Sequence, residues 1–196
     1  MHRLRILRLA LFWPLLLLPQ LAGAASMQAQ EEPKLDVAVV FIAQRSLKAS
    51  ANQNFWMEGG SIQLGANVWK GWGIAADVTA ARGSSIGSSG IPLSLETTTF
   101  GPRYRWHANR RWSLYGEALV GEANAFNTVV PTPSATQTDA NSLAFQLGGG
   151  LDYKLKQHLA VRVLDAAWLR TGIPNSTDNV QNTLRLGAGV VVRFGH

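Results

Sequence analysis

Charged side chains recur at places where this chain would otherwise carry only small or polar residues. Asp77, Glu117 and Asp152 supply carboxylates, and Arg103, Arg105, Arg162, Arg185 and Arg193 supply guanidinium groups. Each lies in a segment that alternates with apolar residues, so in a strand each projects to the face opposite the apolar one. Ionised groups gathered on an enclosed face must pair, because an unpartnered charge out of water is strongly disfavoured. Chain order predicts partners on adjacent strands: Asp77 with Arg103, Arg105 with Glu117, and Asp152 with Arg162. Arg185 and Arg193 have no obvious neighbour of opposite sign and are expected to reach across the enclosed space. Arg162 and Asp165 are three apart, which strict alternation puts on opposite faces. Either a bulge brings both inside or Asp165 points outward near a rim. The chemistry open to such a set is ion pairing, with a proton or ion relay as the alternative.

Other chemistries find little support in the residues. His107 and His158 sit in short polar turns without a nucleophile beside them, His2 is near the start and His196 at the end. No metal-ligand cluster, phosphate loop or triad spacing occurs, and no cofactor is expected. Gly148, Gly149 and Gly150 lie mid-strand with no helix following, so they suit a bend or the close packing of a large neighbour. The chain has no cysteine, which excludes disulfides, thiolate metal sites and a lipoprotein anchor.

The N-terminus reads as an export signal over 1–24. Arg3, Arg5 and Arg8 precede a short apolar core, Leu9 to Pro19, and Ala22-Gly23-Ala24 is a small-residue cleavage pattern. Cleavage is expected after Ala24, with Ala25 the alternative. Removing three arginines leaves 15 of 18 bases against 12 acids, a net of +3. That balance gives no argument for nucleic acid as a partner. Residues 25–34 read as a flexible leader, and 35–194 as one domain.

The elements that must position the charges are strands. Eight are expected: about 35–47, 55–69, 72–81, 95–106, 112–121, 142–155, 159–170 and 183–194. The last is typical: Leu184, Leu186, Ala188, Val190, Val192 and Phe194 share one face, with Thr183, Arg185 and Arg193 on the other. Pro102 lies inside the fourth strand and marks a bulge or a weak assignment. Connections alternate, short after strands two, four and six, and long elsewhere; 82–94 and 122–141 read as loops rich in Gly, Ser, Thr and Pro. Short turns at one end and long loops at the other is the pattern of an up-and-down transmembrane β-barrel.

Alternation alone leaves open which face is inside, and a soluble lipocalin-like barrel would reverse it. The aromatic residues favour a lipid-facing apolar surface. Trp69, Trp72, Trp106, Trp112, Tyr153 and Phe194 gather at the short-turn end, where an interfacial belt would sit. The alternative is that they pack on each other across hairpins.

These features resemble the small eight-stranded outer-membrane β-barrels, the type of the outer membrane protein A transmembrane domain and the opacity-protein-like porin fold. The resemblance spans Leu35 to Phe194 and is best carried by Phe100-Gly-Pro-Arg-Tyr-Arg-Trp106, by Leu147-Gly-Gly-Gly-Leu-Asp-Tyr-Lys154, and by Leu159-Ala-Val-Arg162. Gly187 to Phe194 is similar to the C-terminal signal read by the barrel-assembly machinery, although Gly195 and His196 follow where the family stops. The peptidoglycan-binding domain of larger members is not expected here. The resemblance implies an all-β fold in the bacterial outer membrane and a monomer among lipid and lipopolysaccharide. The family's lipid A deacylase carries His and Ser two apart, whereas His158 is followed by Leu159 and Ala160. A structural, surface-contact or adhesion role is therefore expected rather than an enzyme. A small-solute or ion channel is the alternative, and a lipid A-modifying enzyme the second. An eight-stranded interior is narrow enough to be filled by side chains.

Overall fold

The computed structural model describes residues 34–47, 55–86, 91–131, 136–173 and 180–195. The expected signal over 1–24 and almost all of the leader lie outside the described residues. Eight strands follow in order: β1 (Leu35–Ser46), β2 (Trp56–Trp69), β3 (Trp72–Ile86), β4 (Ile91–His107), β5 (Trp112–Pro131), β6 (Thr136–Lys156), β7 (Leu159–Thr171) and β8 (Gln181–Phe194). Each pairs antiparallel with the next, and β8 returns to β1 to close the barrel. That seam is continuous from Leu35↔Phe194 to Ser46↔Thr183. Closure leaves no unpaired edge along it, which a hydrocarbon solvent requires.

The polarity is inside-out relative to a soluble protein. Phe41 is 64% exposed and Phe100 65% on the outer wall, while Arg162 and Asp152 are 0% exposed within. This distribution removes the lipocalin-like alternative, in which apolar residues would fill the core.

Val163 and Leu164 both face outward, and the pairing with β8 shifts between Arg162 and Asp165. This is the bulge that brings both charged residues into the lumen. No bulge forms at Pro102: the β4–β5 register is the same at Phe100↔Val120 and Arg103↔Glu117.

The expected loops 82–94 and 122–141 are corrected by the structure. β3 runs on to Ile86 and β4 begins at Ile91, while β5 and β6 extend to Pro131 and from Thr136. Their polar composition marks strands that no longer face lipid rather than irregular chain. The β5–β6 ladder continues to Pro131↔Thr136, past Ala144↔Thr171 where the pairing of β6 with β7 stops. The β3–β6 side of the barrel is therefore a taller wall than the β7–β2 side.

Candidate functional site

The barrel interior divides into layers along its axis. At the loop end lie Ile42, Met57, Leu95, Ala125, Leu169 and Ile173, a buried apolar cluster against which Phe55, Leu93 and Ala140 pack. From mid-barrel to the turn end the lumen is ionic. Five arginines (Arg103, Arg105, Arg162, Arg185, Arg193) and five carboxylates (Asp36, Asp77, Glu117, Asp152, Asp165) are buried there, so their formal charges cancel.

Asp152 sits where three arginines converge: Arg162 Nε at 2.9 Å, Arg105 Nη1 at 3.0 Å and Arg193 Nη2 at 3.2 Å. Asp36 takes Arg103 and Arg105, each at 3.0 Å. Arg103 also binds Glu117 at 3.0 Å. Higher in the barrel, Arg185 bridges Asp77 at 2.8 Å and Asp165 at 3.1 Å, and Arg162 lies 3.5 Å from Asp165. Neutral groups add further donors to Asp77 and Asp165. Ser61 and Thr79 donate to Asp77 at 2.7 and 2.8 Å, and Gln146 does so at 3.0 Å. Gln63 donates to Asp165 at 3.0 Å and accepts from Arg162.

Tyr115 is the hub. The guanidinium carbons of Arg162, Arg103 and Arg105 lie 4.3, 4.9 and 5.8 Å from its ring centroid. Its hydroxyl donates to Asp165 at 2.5 Å. Three cations on the electron-rich ring add attraction that a purely aliphatic filler would lack. Room for the ring comes from its cross-strand partner Gly150, where a Cβ would lie 2.7 Å from the Tyr115 hydroxyl. The glycine run thus admits a large neighbour.

Two of the expected pairs are corrected. Asp77 lies opposite Thr99 in the register and pairs with Arg185, not Arg103. Arg105 lies opposite Tyr115 and reaches past it to Asp36 and Asp152, not to Glu117; Glu117 lies opposite Arg103 and takes it instead. The reason is length: an arginine spans the narrow lumen as easily as it reaches the next strand. Asp152 and Arg162 are direct cross-strand partners, and Arg185 and Arg193 do reach across. Asp36 and Tyr115 were missed. β1 is apolar on both faces, with Val37, Val39 and Phe41 on one and Ala38, Val40 and Ile42 on the other, so alternation does not mark Asp36 as inward.

On the outer wall at the turn end, Trp69, Trp72, Trp106 and Phe194 are exposed, and Trp112 and Tyr153 are half-buried. The rings of Trp72 and Tyr104 meet tilted at 5.0 Å and those of Trp112 and Tyr153 at 4.8 Å, so the aromatics both face outward and pack across strands. Tyr104, two residues before Trp106 on the same face, belongs with them. His158 is exposed at this end, its Nδ1 3.1 Å from the Arg193 carbonyl oxygen. Among the described residues no group of three His, Cys, Asp or Glu side chains could hold a metal.

A family model described as "Outer membrane protein beta-barrel domain" matches residues 15–194. The chain is also similar in structure to Neisserial surface protein A (NspA), with a TM-score of 0.63 and 17% identity, covering 82% of this chain and 97% of that one. It is similar to Ail, the attachment invasion locus protein of Yersinia pestis, in complex with the heparin analogue sucrose octasulfate. There the TM-score is 0.51 and the identity 19%, over 82% of this chain and 99% of that one. No curated protein matches the chain by sequence.

Proposed function

Because the chain belongs to the outer-membrane β-barrel family, and so resides in the bacterial outer membrane, we propose that it acts there as a surface-contact or adhesion protein. The observation that carries this is the filled lumen. The side chains of Arg105, Arg162 and Asp152 have no solvent-accessible surface, so the lumen is packed at these residues rather than open. This counts against conduction and leaves the outside of the barrel, chiefly the tall β3–β6 wall, as the part able to meet a partner. The names of the two similar structures, a surface protein and an attachment protein, are consistent with such a role.

The remaining assignments follow from the same reading. Residues 1–24 direct export and are removed, and the β8 ending ahead of Gly195 engages the assembly machinery. The turn-end aromatics form the interfacial belt, and closure favours a monomer.

The test is attachment. A non-adherent bacterium expressing the chain should bind cultured host cells severalfold better than its parent. Replacing residues 124–141 with a two-residue turn should abolish the gain while the barrel still folds. Unitary current steps in planar bilayers would overturn the filled-barrel view, and altered lipid A masses on expression would point to an enzyme.

A further inference from the structure

Outside the lumen, fixed charge divides unevenly between the two ends. At the loop end the lipid-facing runs stop at Arg45, Glu58, Arg82, Glu96, Glu122 and Arg170, all exposed, three of each sign. At the turn end lie Lys34, Lys70, Arg110, Arg111, Lys154 and Lys156. The Asp and Glu side chains there, among the described residues, are Asp36 and Asp152, both buried in the lumen and paired with arginine. The cations encircle the barrel. Lys34 precedes β1 beside the seam, Lys70 forms the β2–β3 turn, Arg110 and Arg111 lie in the β4–β5 turn, and Lys154 and Lys156 end β6.

Two contacts fix their height. The Lys70 ammonium lies 4.8 Å from the ring centroid of Trp69, and Arg111 Nη1 donates to the Tyr153 hydroxyl at 3.0 Å. Trp69 and Tyr153 lie on the outer wall where the apolar run ends. Lys70 and Arg111 are thus folded back against the wall at the level where ring meets water, and the short turns keep the other cations near it. The Lys70–Gly71 turn, with φ of 45° and 83°, has only two residues.

We propose that this ring binds the phosphodiester headgroups of anionic phospholipids in the periplasmic leaflet, gathering an anionic lipid shell around the turn end. The proposal rests on the outer-membrane placement, in which short turns face the periplasm. It does not depend on the adhesion role. Phosphate beside a guanidinium or ammonium forms strong charge-assisted hydrogen bonds, and basic residues next to a bilayer are drawn to anionic lipid. Cell-wall carboxylates are the competing anion. They stand away from the membrane and would need cations that project outward, whereas Lys70 and Arg111 lie against the wall.

The experiment inserts the full chain into nanodiscs of equal phosphatidylglycerol and phosphatidylcholine with identical acyl chains. Lipids retained on release from the disc are counted by native mass spectrometry. Phosphatidylglycerol should exceed phosphatidylcholine by about threefold, given attraction of the order expected for basic residues at a membrane surface. The combined variant Lys70→Gln, Arg110→Gln, Arg111→Gln, Lys156→Gln should return the ratio to parity. Arg45→Gln, Arg82→Gln, Arg170→Gln at the other end should leave it raised. If the fourfold variant does not refold, Lys70→Gln and Arg111→Gln taken singly should each lower the ratio. Parity in the unaltered protein overturns the proposal, as does an excess that survives the turn-end changes or vanishes with the loop-end ones. Retention on purified cell-wall sacculi that the turn-end variant loses, with lipid counts at parity, would assign the ring to peptidoglycan instead.

Discussion

Around Asp152 three arginines converge within 3.2 Å, whereas Ile42, Met57, Leu95 and Ile173 belong to a buried apolar cluster. Both regions are equally buried, and the same strands line both. The ionic layer depends on matching: each group is tolerable only while its partner is present, since a lone buried charge is far costlier than a missing methyl group. The apolar layer depends on volume and fails gradually as carbon is removed. The difference teaches that one barrel can close its lumen with two kinds of filler that respond to damage differently.

The contrast is broken most directly at Arg162. Arg162→Met takes one of three cations from Asp152 and from the face of Tyr115 and leaves the five buried carboxylates facing four arginines, and should cost about 3–5 kcal/mol in the urea unfolding of the refolded barrel. The heat-dependent gel shift should weaken in step. Removing charge in balance, as Arg162→Met with Asp152→Leu, should recover part of that loss; a double variant as unstable as the single would mean that matching is not what holds this layer. In the apolar layer, Ile42→Ala should cost about 2–4 kcal/mol as a cavity forms, and Ile42→Val far less. Such a graded series has no counterpart among the arginines. Gly150→Ala tests how tightly the ionic layer is packed: its methyl group would press on the Leu164 carbonyl oxygen and lie 2.7 Å from the Tyr115 hydroxyl, and about 1–3 kcal/mol of overpacking is expected. Unchanged unfolding would show that the hub has slack. The smallest effect belongs outside. Trp112→Leu removes the tilted ring contact with Tyr153 and should cost about 0.5–1.5 kcal/mol, measured against Tyr153→Leu and the pair in a double-mutant cycle.

The outer wall was almost fully legible in the sequence, because lipid demands an unbroken apolar face and alternation displays it, as along Leu184 to Phe194. The membership of the inner layers was legible only where the two faces differ. Asp152 and Arg162 stand out against Leu151 and Val161, but Asp36 and Tyr115 do not, since β1 and β5 carry apolar residues on both sides. Pairing was less legible than placement. Cross-strand adjacency identifies Asp152 with Arg162, yet Arg105 and Arg185 pass over nearer positions to meet Asp36 and Asp77 across the lumen. Strand length was misjudged where β5 and β6 leave the membrane, because polar strands such as Asn124 to Phe126 and Asp139 to Ser142 share the composition of loops.

The bulge at Val163 and Leu164 has a consequence for how the chain tolerates change in length. Strand β7 holds one residue more than its neighbours need, and that surplus sets the phase of everything above it. Deleting Val163 would put Arg162 and Asp165 two apart, so strict alternation would return with both halves of the strand keeping their faces. Deleting Val161 instead would leave no such surplus to absorb the change, and Arg162 would turn toward lipid. The bulge is thus the one place in this strand where losing a residue leaves the inside and the outside unexchanged.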